Sequence, residues 1–317
     1  MHILSNKLAS YANVNIKALV NAVGHRPTHK LTVNGKIVYI NEKNAFGSEA
    51  ILKRNALLLY IYLHFLKPDD NAHVLLDLTV AAKELQLSKR TILHNLSLLN
   101  KKNYIRYCEG LLEDTYDIHL EYYNLNGLEA KQGGRGYLVM SLANLKQLTN
   151  LKSINQTRFV LRGFLNEVPG KQNMRMENGC NINMLRQMFP SYTQLKDIFN
   201  ILSDKMINTI FDIGVAESRK YVKIKLKTNS AEKQRNEQLN KTIKNITMHF
   251  KSMNAKYPDN TFNPSSKEIT DIAKITYKYP VELVKQAIQR VYLQYNKDNV
   301  SNLPALTRSI TKKLIPT

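Results

Sequence analysis

Tryptophan is absent from this 317-residue sequence, cysteine occurs twice, and no apolar run has the length of a membrane span. A spanning helix needs about 18 or more consecutive apolar residues. The most apolar stretch, ALLLYIYLHFL (residues 56–66), fits a buried helix instead. Cys108 and Cys180 lie in different segments without metal-ligand spacing, which favours a reducing compartment. Because the N-terminus also lacks a signal-peptide pattern, we expect a cytoplasmic protein with no membrane contact.

Acidic residues are scarce relative to basic ones. The 25 Asp and Glu residues stand against 46 Lys and Arg, which gives a formal charge of +21. Such a charge does not define a fold, but it favours an anionic partner, most often nucleic acid. A basic ribosome-associated protein is the alternative that composition leaves open. The length corresponds to roughly two to three domains.

Motifs of catalysis are missing as well. There is no Gly-x4-Gly-Lys-Ser/Thr loop for a nucleotide phosphate, and the glycine-rich KQGGRGYL (residues 131–138) has the composition of a linker or hairpin turn. His25 and His29 in GHRPTHK have the wrong spacing for the paired histidines of nicking enzymes. We therefore expect no enzymatic activity, no cofactor and no metal site.

The N-terminal segment, residues 1–48, carries two local signals. NIKALVNAV (residues 15–23) has the pattern of a short helix. HKLTVNGKIVYI (residues 29–40) has alternating apolar residues on both sides of Asn34-Gly35, a strong hairpin signal. We predict one helix and one β-hairpin here.

Residues 49–130 have the pattern of a winged helix-turn-helix. A helix is predicted over residues 49–66, and Asp77 is placed to cap a second helix. A turn at residues 86–88 leads into a third helix, whose Ile92, Leu96 and Leu99 share one face. The alternating runs YIRYC and TYDIHLEYY then predict the two strands of a wing.

The third helix of this unit is the predicted recognition helix. Its outer, N-terminal end is the part that meets base edges and phosphates in a major groove. The residues predicted to contact DNA there are Ser88, Lys89, Arg90, Thr91, His94 and Asn95, with Lys101 and Lys102 near the backbone.

A second copy is predicted over residues 137–228. Shifting the first unit by 103 residues brings Ile92, Leu96 and Leu99 onto apolar positions, namely Leu195, Phe199 and Leu202. TRFVLRGFLNEV (residues 157–168) supplies its first helix, and MINTIFDIGVAESRKYVKIKLK supplies two wing strands. The alternative is two unrelated helical layers without DNA contact. The predicted contacts are Ser191, Tyr192, Thr193, Gln194 and Lys196 on the helix, with Arg219, Lys220 and Lys223 on the wing.

The C-terminal part, residues 240–317, is predicted to be a helical domain that follows a polar linker. Its helices contain Ile246 and Phe250, then Ile272 and Ile275 after Ser265. A third helix after Pro280 has Leu283, Ala287, Val291 and Tyr295 as its apolar stripe, and the last opens with a proline in its first turn.

Residues 262–314 resemble the C-terminal domain of DnaD-like primosomal and phage replisome-organiser proteins of low-GC Gram-positive bacteria. The family has an ELI..AI motif, an Asn-containing turn and a final tyrosine-isoleucine-tryptophan motif. The first two correspond to Glu282, Leu283, Val284, Ala287, Ile288, Asn299 and Asn302, whereas Leu306 and Ile310 replace part of the third. The resemblance implies DNA contacts by this module. The tandem layout is also similar to that of plasmid replication initiators.

These observations predict a mainly α protein with small β-wings (α+β), built from two winged helix-turn-helix domains and a helical C-terminal domain. The expected function is sequence-specific binding of double-stranded DNA. One interpretation is a plasmid or phage replication initiator that binds origin repeats and recruits a host helicase or its loader. The alternative is a transcription regulator that binds an operator as a homodimer and uses the tail to oligomerise.

Overall fold

The structure, a computed structural model, describes residues 8–24, 28–33, 36–41, 51–127, 136–166, 180–181, 185, 189, 194–216, 221–227 and 231–314. The chain is mainly helical with small antiparallel sheets, as the α+β prediction required. It divides into two compact units, one within Asn6–Glu232 and the other over Lys233–Thr317.

The N-terminal segment forms the predicted helix and hairpin. Strand β1 (Tyr11–Asn15) leads directly into helix α1 (Ile16–Val23), whose first turn is capped because the Asn15 side chain accepts from the Ala18 amide at 3.1 Å. Strands β2 (Thr28–Val33) and β3 (Lys36–Asn41) pair antiparallel, with Val33 opposite Lys36. The predicted turn residues, 34 and 35, lie outside the described residues.

A unit that we name the first repeat spans residues 54–120. Its elements are α2 (Arg54–Phe65), β4 (His73–Asp77), α3 (Leu78–Leu85), α4 (Lys89–Lys101), β5 (Ile105–Glu109) and β6 (Thr115–Leu120). Asp77 caps α3 as predicted, accepting from the amides of Thr79 and Val80. Strand β4 was not predicted. It pairs with β6 rather than with its chain neighbours, so the sheet has the order β4-β6-β5.

Helix α2 lies at the centre of the larger unit and is buried on all sides. Every residue from Ala56 to Phe65 is buried, which fits a helix that is apolar all round. Strand β7 (Tyr137–Ser141) pairs with β1, and helix α5 (Leu142–Asn150) follows it. Arg54 at the start of α2 donates to the carbonyl oxygens of Thr149 and Leu151. The N-terminal segment and both repeats therefore share one apolar core.

The second repeat spans residues 154–226. Its described elements are α6 (Ile154–Asn166), β8 (Cys180–Asn181), α7 (Leu195–Leu202), α8 (Lys205–Ile210), β9 (Phe211–Val215) and β10 (Tyr221–Leu226). Residues 206–210, predicted to start a wing strand, belong to helix α8 instead, because Asp204 caps this helix by accepting from the amides of Met206 and Ile207.

The smaller unit is a helical bundle with its own core. Helix α9 spans Ala231–Lys256, so the polar segment predicted as a linker is helical from Ala231. It is followed by α10 (Ser266–Ile275), α11 (Val281–Gln294) and α12 (Leu303–Lys313). The apolar stripe of α11 is centred on Val284, Ala287, Ile288 and Val291, whereas Tyr295, predicted to belong to it, is exposed.

Candidate nucleic-acid interface

The two repeats have the same sheet topology and a similar order of described elements. In each, a first helix is followed by a strand, a helical layer and a hairpin whose second strand is central: β4-β6-β5 in the first and β8-β10-β9 in the second. The hairpin registers coincide. Ile105 pairs with Leu120 in the first repeat, and Phe211 pairs with Leu226 in the second. Ile105 lies 106 positions before Phe211, and Leu120 lies 106 positions before Leu226.

The structure therefore corrects the predicted shift of 103 residues between the repeats. Helices α4 and α7 begin at residues 89 and 195, which is again a difference of 106. The core residues of α7 are Ile198, Ile201 and Leu202, while Leu195 is 40% exposed and Phe199 is half-buried. The error has a geometric cause: three residues turn a 3.6-residue helix by about 300°, so a slip of three leaves the apolar faces only about 60° apart.

Helix α4 begins with a capped turn at the predicted DNA-contacting end. The Ser88 hydroxyl accepts from the Thr91 amide at 3.1 Å and lies 2.8 Å from the Thr91 hydroxyl. Both hydroxyls are therefore held in the cap. They remain beside the free amides of the first turn, which is the part of a helix that attracts phosphate oxygens.

The charged residues of this turn differ in their surroundings. The Lys89 ammonium nitrogen lies 2.5 Å from an Asp114 carboxylate oxygen, and both side chains are nearly half exposed. Arg90 and His94 are exposed on the outer face. Among the predicted contacts of the first turns, Arg90 and His94 are thus the side chains best placed to reach an external ligand.

Asn95 was predicted to face outward, and this prediction is wrong. Its side chain is 5% exposed, and its amide nitrogen donates to the Thr91 carbonyl oxygen at 2.6 Å. Asn95 follows Thr91 by one turn and lies between Ile92 and Leu96 on the buried side of the helix. At the other end of α4, Lys101 is exposed and Lys102 is half-buried.

In the second repeat, Gln194 holds the N-cap position of α7 that Ser88 holds in α4, although its side chain makes no capping hydrogen bond. Gln194 and Lys196 are exposed, as predicted. The predicted contacts Ser191, Tyr192, Thr193, Arg219 and Lys220 lie outside the described residues. The surface around Lys196 is more apolar than expected because Leu195 and Val215 are both substantially exposed.

Strand β10 has the predicted alternation. Val222 and Ile224 are buried, while Lys223 and Lys225 are exposed on the other face of the strand. Opposite Lys223 in the sheet lies Gly214, so no side chain on that neighbour covers the lysine. This face can supply phosphate contacts, which need cations but no defined base geometry.

Positive charge is distributed unevenly along the chain. The first repeat, residues 54–120, contains eight Lys and Arg and eight Asp and Glu, so it is formally neutral. The second repeat, residues 154–226, contains 11 basic and six acidic residues, and residues 233–317 contain 15 and six. Residues 1–53 contain seven basic and two acidic residues, so the excess that motivated the nucleic-acid prediction lies outside the first repeat: in the N-terminal segment, in the second repeat and, most of all, in the smaller unit.

The wing of the first repeat carries features that sequence reasoning missed. Its tip, residues 109–114, has the sequence EGLLED, with Glu109, Glu113 and Asp114 all exposed. Leu111 and Leu112 are exposed at 106% and 62%. The acidic residues of the tip are visible in the sequence, and they argue against phosphate contacts there because they repel phosphate. Only the structure shows that Asp114 of the tip lies beside Lys89.

Comparison with known proteins adds no assignment: no protein family matches the sequence, and neither a curated protein nor a solved structure resembles it. Among the residues that the structure describes, no helix has both the length and the apolar character needed to cross a membrane. Within the same residues, no three His, Cys, Asp or Glu side chains cluster closely enough to hold a metal ion.

Proposed function

We propose that this protein binds double-stranded DNA in a sequence-specific manner through two winged helices. The observation that carries the proposal is the repetition of one topology, helix–strand–helices–hairpin with the last strand central, in two segments of a basic chain. That order is the one expected for a winged helix-turn-helix, whose recognition helix precedes the hairpin. In this reading, α4 and α7 are the recognition helices and the two hairpins are the wings.

The two repeats contribute differently to binding. Arg90 and His94 on α4 supply base-edge contacts, and an arginine that binds a guanine is worth roughly 1–3 kcal/mol of discrimination. Gln194 and Lys196 hold the corresponding positions on α7. Lys223 and the basic smaller unit supply most of the phosphate contacts, because the first repeat is formally neutral.

For the biological role we propose replication initiation or replisome organisation, with the smaller unit recruiting a helicase or its loader. The support is the resemblance of residues 262–314 to DnaD-like domains. Two of the three family motifs have counterparts in the sequence: the ELV..AI residues lie on α11, and the asparagine turn follows it, with Asn302 at the N-cap of α12. The third motif is replaced in part by Leu306 and Ile310 and lacks its tryptophan. The alternative, a transcription regulator, makes the same DNA contacts and differs in what the smaller unit does.

The first experiment is a selection of bound duplexes from a random library at about 150 mM salt, where non-specific phosphate binding is weak. A long enriched motif, or direct repeats one helical turn apart, supports two winged helices that read one site. If no motif is enriched, the positive charge serves non-specific or single-stranded binding, and the recognition-helix assignment is wrong.

A truncation that ends near Thr228 distinguishes replication from regulation. If the truncated chain still binds the selected site but no longer supports replication, and transcription from neighbouring promoters is unchanged, the regulator alternative fails. If instead replication is unaffected while repression or activation is lost, the initiator assignment fails.

A further inference from the structure

The second repeat has a groove between helix α7 and strand β9. Its volume is about 950 Å³, near the upper end of the roughly 300–1,000 Å³ typical of ligand sites. Leu195 and Phe199 line one wall, and Ile213 and Val215 line the other. Lys196 is the charged residue among its described lining, and Asn200 adds a polar group.

Two of the residues that line this groove differ in character from their counterparts in the first repeat. With the shift of 106 residues, the first repeat has Lys89 where the second has Leu195, and Glu109 where the second has Val215. Two positions that are charged in the first repeat are therefore apolar in the second. Large apolar side chains left together at a surface mark an interaction site.

A matching projection exists on the wing of the first repeat. Leu111 and Leu112 are adjacent and extend into solvent, with Leu111 fully exposed. The tip is ordered: the Thr115 amide and hydroxyl both donate to the Leu112 carbonyl oxygen, at 3.1 and 2.6 Å, and the Gly110 amide donates to the Thr115 carbonyl at 2.8 Å. A preorganised projection loses little conformational entropy when it docks.

We propose that the wing tip of one chain docks into the α7–β9 groove of a second copy of this chain. The two surfaces are complementary in chemistry, since two leucines meet four apolar lining residues while Glu109, Glu113 and Asp114 surround the tip and Lys196 lies in the groove. The tip is not among the groove's lining residues in its own chain, and its leucines are exposed there, so the contact is between chains.

The contact is heterologous, because the tip and the groove are different surfaces. Each docked pair still offers one free tip and one free groove, so assembly continues into a ring or an open chain rather than stopping at a dimer. The docked tip also covers Lys196 of the chain that receives it. If α7 is a recognition helix, as the proposed function requires, that chain cannot place α7 in a major groove at the same time.

The test is sedimentation of the full-length protein without DNA, over a range of concentrations. Wild type is expected to form species larger than dimers. Leu111→Asp and, separately, Leu195→Asp are each expected to weaken association about tenfold or more, as loss of a central apolar contact does. Both positions are exposed, and circular dichroism checks that the variants fold. Met248→Asp, which removes a similarly exposed side chain from the smaller unit, is the matched control and should associate like wild type.

Mixing the two variants gives the sharpest result. The Leu195→Asp chain has an intact tip and the Leu111→Asp chain has an intact groove, so an equimolar mixture should form dimers and stop there. If wild type stays monomeric up to about 100 µM, the groove has another occupant and the proposal is wrong. If Leu111→Asp alone abolishes association while Leu195→Asp does not, the tips pair with each other and the groove assignment fails.

Charge exchange and DNA addition complete the test. Glu113→Lys should weaken association, and combining it with Lys196→Glu should restore it. A duplex selected by the protein should reduce assembly in proportion to its occupancy. Duplex binding that leaves wild-type assembly intact refutes competition at α7, whereas failure to select any duplex refutes the proposed function and leaves the DNA-free sedimentation result valid.

Discussion

Neutralising Asp114 should strengthen DNA binding by releasing Lys89. The two side chains lie 2.5 Å apart in the structure, and both are nearly half exposed, so their ion pair contributes at most about 1 kcal/mol. Asp114→Asn frees the ammonium for a phosphate and removes a negative charge from beside the DNA. A carboxylate about 7 Å from a phosphate costs roughly 0.6 kcal/mol in water. Together these effects predict binding about five- to tenfold tighter at low salt.

The assay is fluorescence anisotropy with one duplex at several salt concentrations. One additional phosphate contact steepens the slope of log K against log salt by about 0.9. The matched control is Glu121→Gln, which removes the same charge and releases Arg106, 2.5 Å away, at the base of the wing. Strand β5 carries that site roughly 13 Å from the tip. An unchanged slope in Asp114→Asn, or an equal gain in Glu121→Gln, refutes the role assigned to Lys89.

Three other predictions concern specificity and stability. Arg90→Ala should relax the preference at one base position in a binding selection, whereas Lys223→Ala should weaken all duplexes equally and reduce the salt slope by about 0.9. Burial lowers the pKa of His64 from 6.5 to about 4, so folding favours the neutral imidazole and its contribution to stability is fully present above pH 6.5. Lowering the pH from 8 to 5 should therefore reduce the free energy of unfolding, measured in urea, by about 2 kcal/mol, and His64→Phe should lack this loss. Gly163→Ala should cost about 1–3 kcal/mol, because the new methyl group overlaps the buried Phe211 ring, whereas Gly214→Ala should be nearly neutral.

Local chemistry was sufficient to predict the elements whose boundaries are set by neighbouring residues. Asp77 caps α3, the hairpin signal lies between β2 and β3, and Ser265 starts the helix predicted after it; each signal acts within a few positions, and the described bounds agree with all three. Strand β4 escaped prediction although Val74 and Leu76 alternate with exposed residues. Its partner β6 lies about 40 residues later, and five residues of alternation do not identify a strand without that partner.

The outward direction of a helical residue was harder to predict than the helix itself. Asn95 is polar, and polarity alone placed it on the surface, but its amide satisfies the Thr91 carbonyl and its neighbours Ile92 and Leu96 face the core. The predicted shift of 103 residues between the repeats, where the structure has 106, also reflects the difficulty of deciding which helix face is buried. Five of the eight residues of α7 (LKDIFNIL) are apolar, but only Ile198, Ile201 and Leu202 are buried, so the helix has more apolar positions than its buried face requires.

That excess of apolar residues is what separates the two repeats. Their backbones repeat the same hairpin register, so the fold alone assigns them the same role. Their surfaces differ. Lys89 and Glu109 of the first repeat correspond to Leu195 and Val215 of the second. The second repeat also has an excess of basic residues, which the first lacks. Apolar side chains are kept at a surface when another surface covers them. A repeat that carries a basic excess and exposed apolar residues on α7 is therefore suited to two exclusive partners, DNA and the acidic leucine tip of another chain, and sedimentation with added duplex decides between shared and separate use.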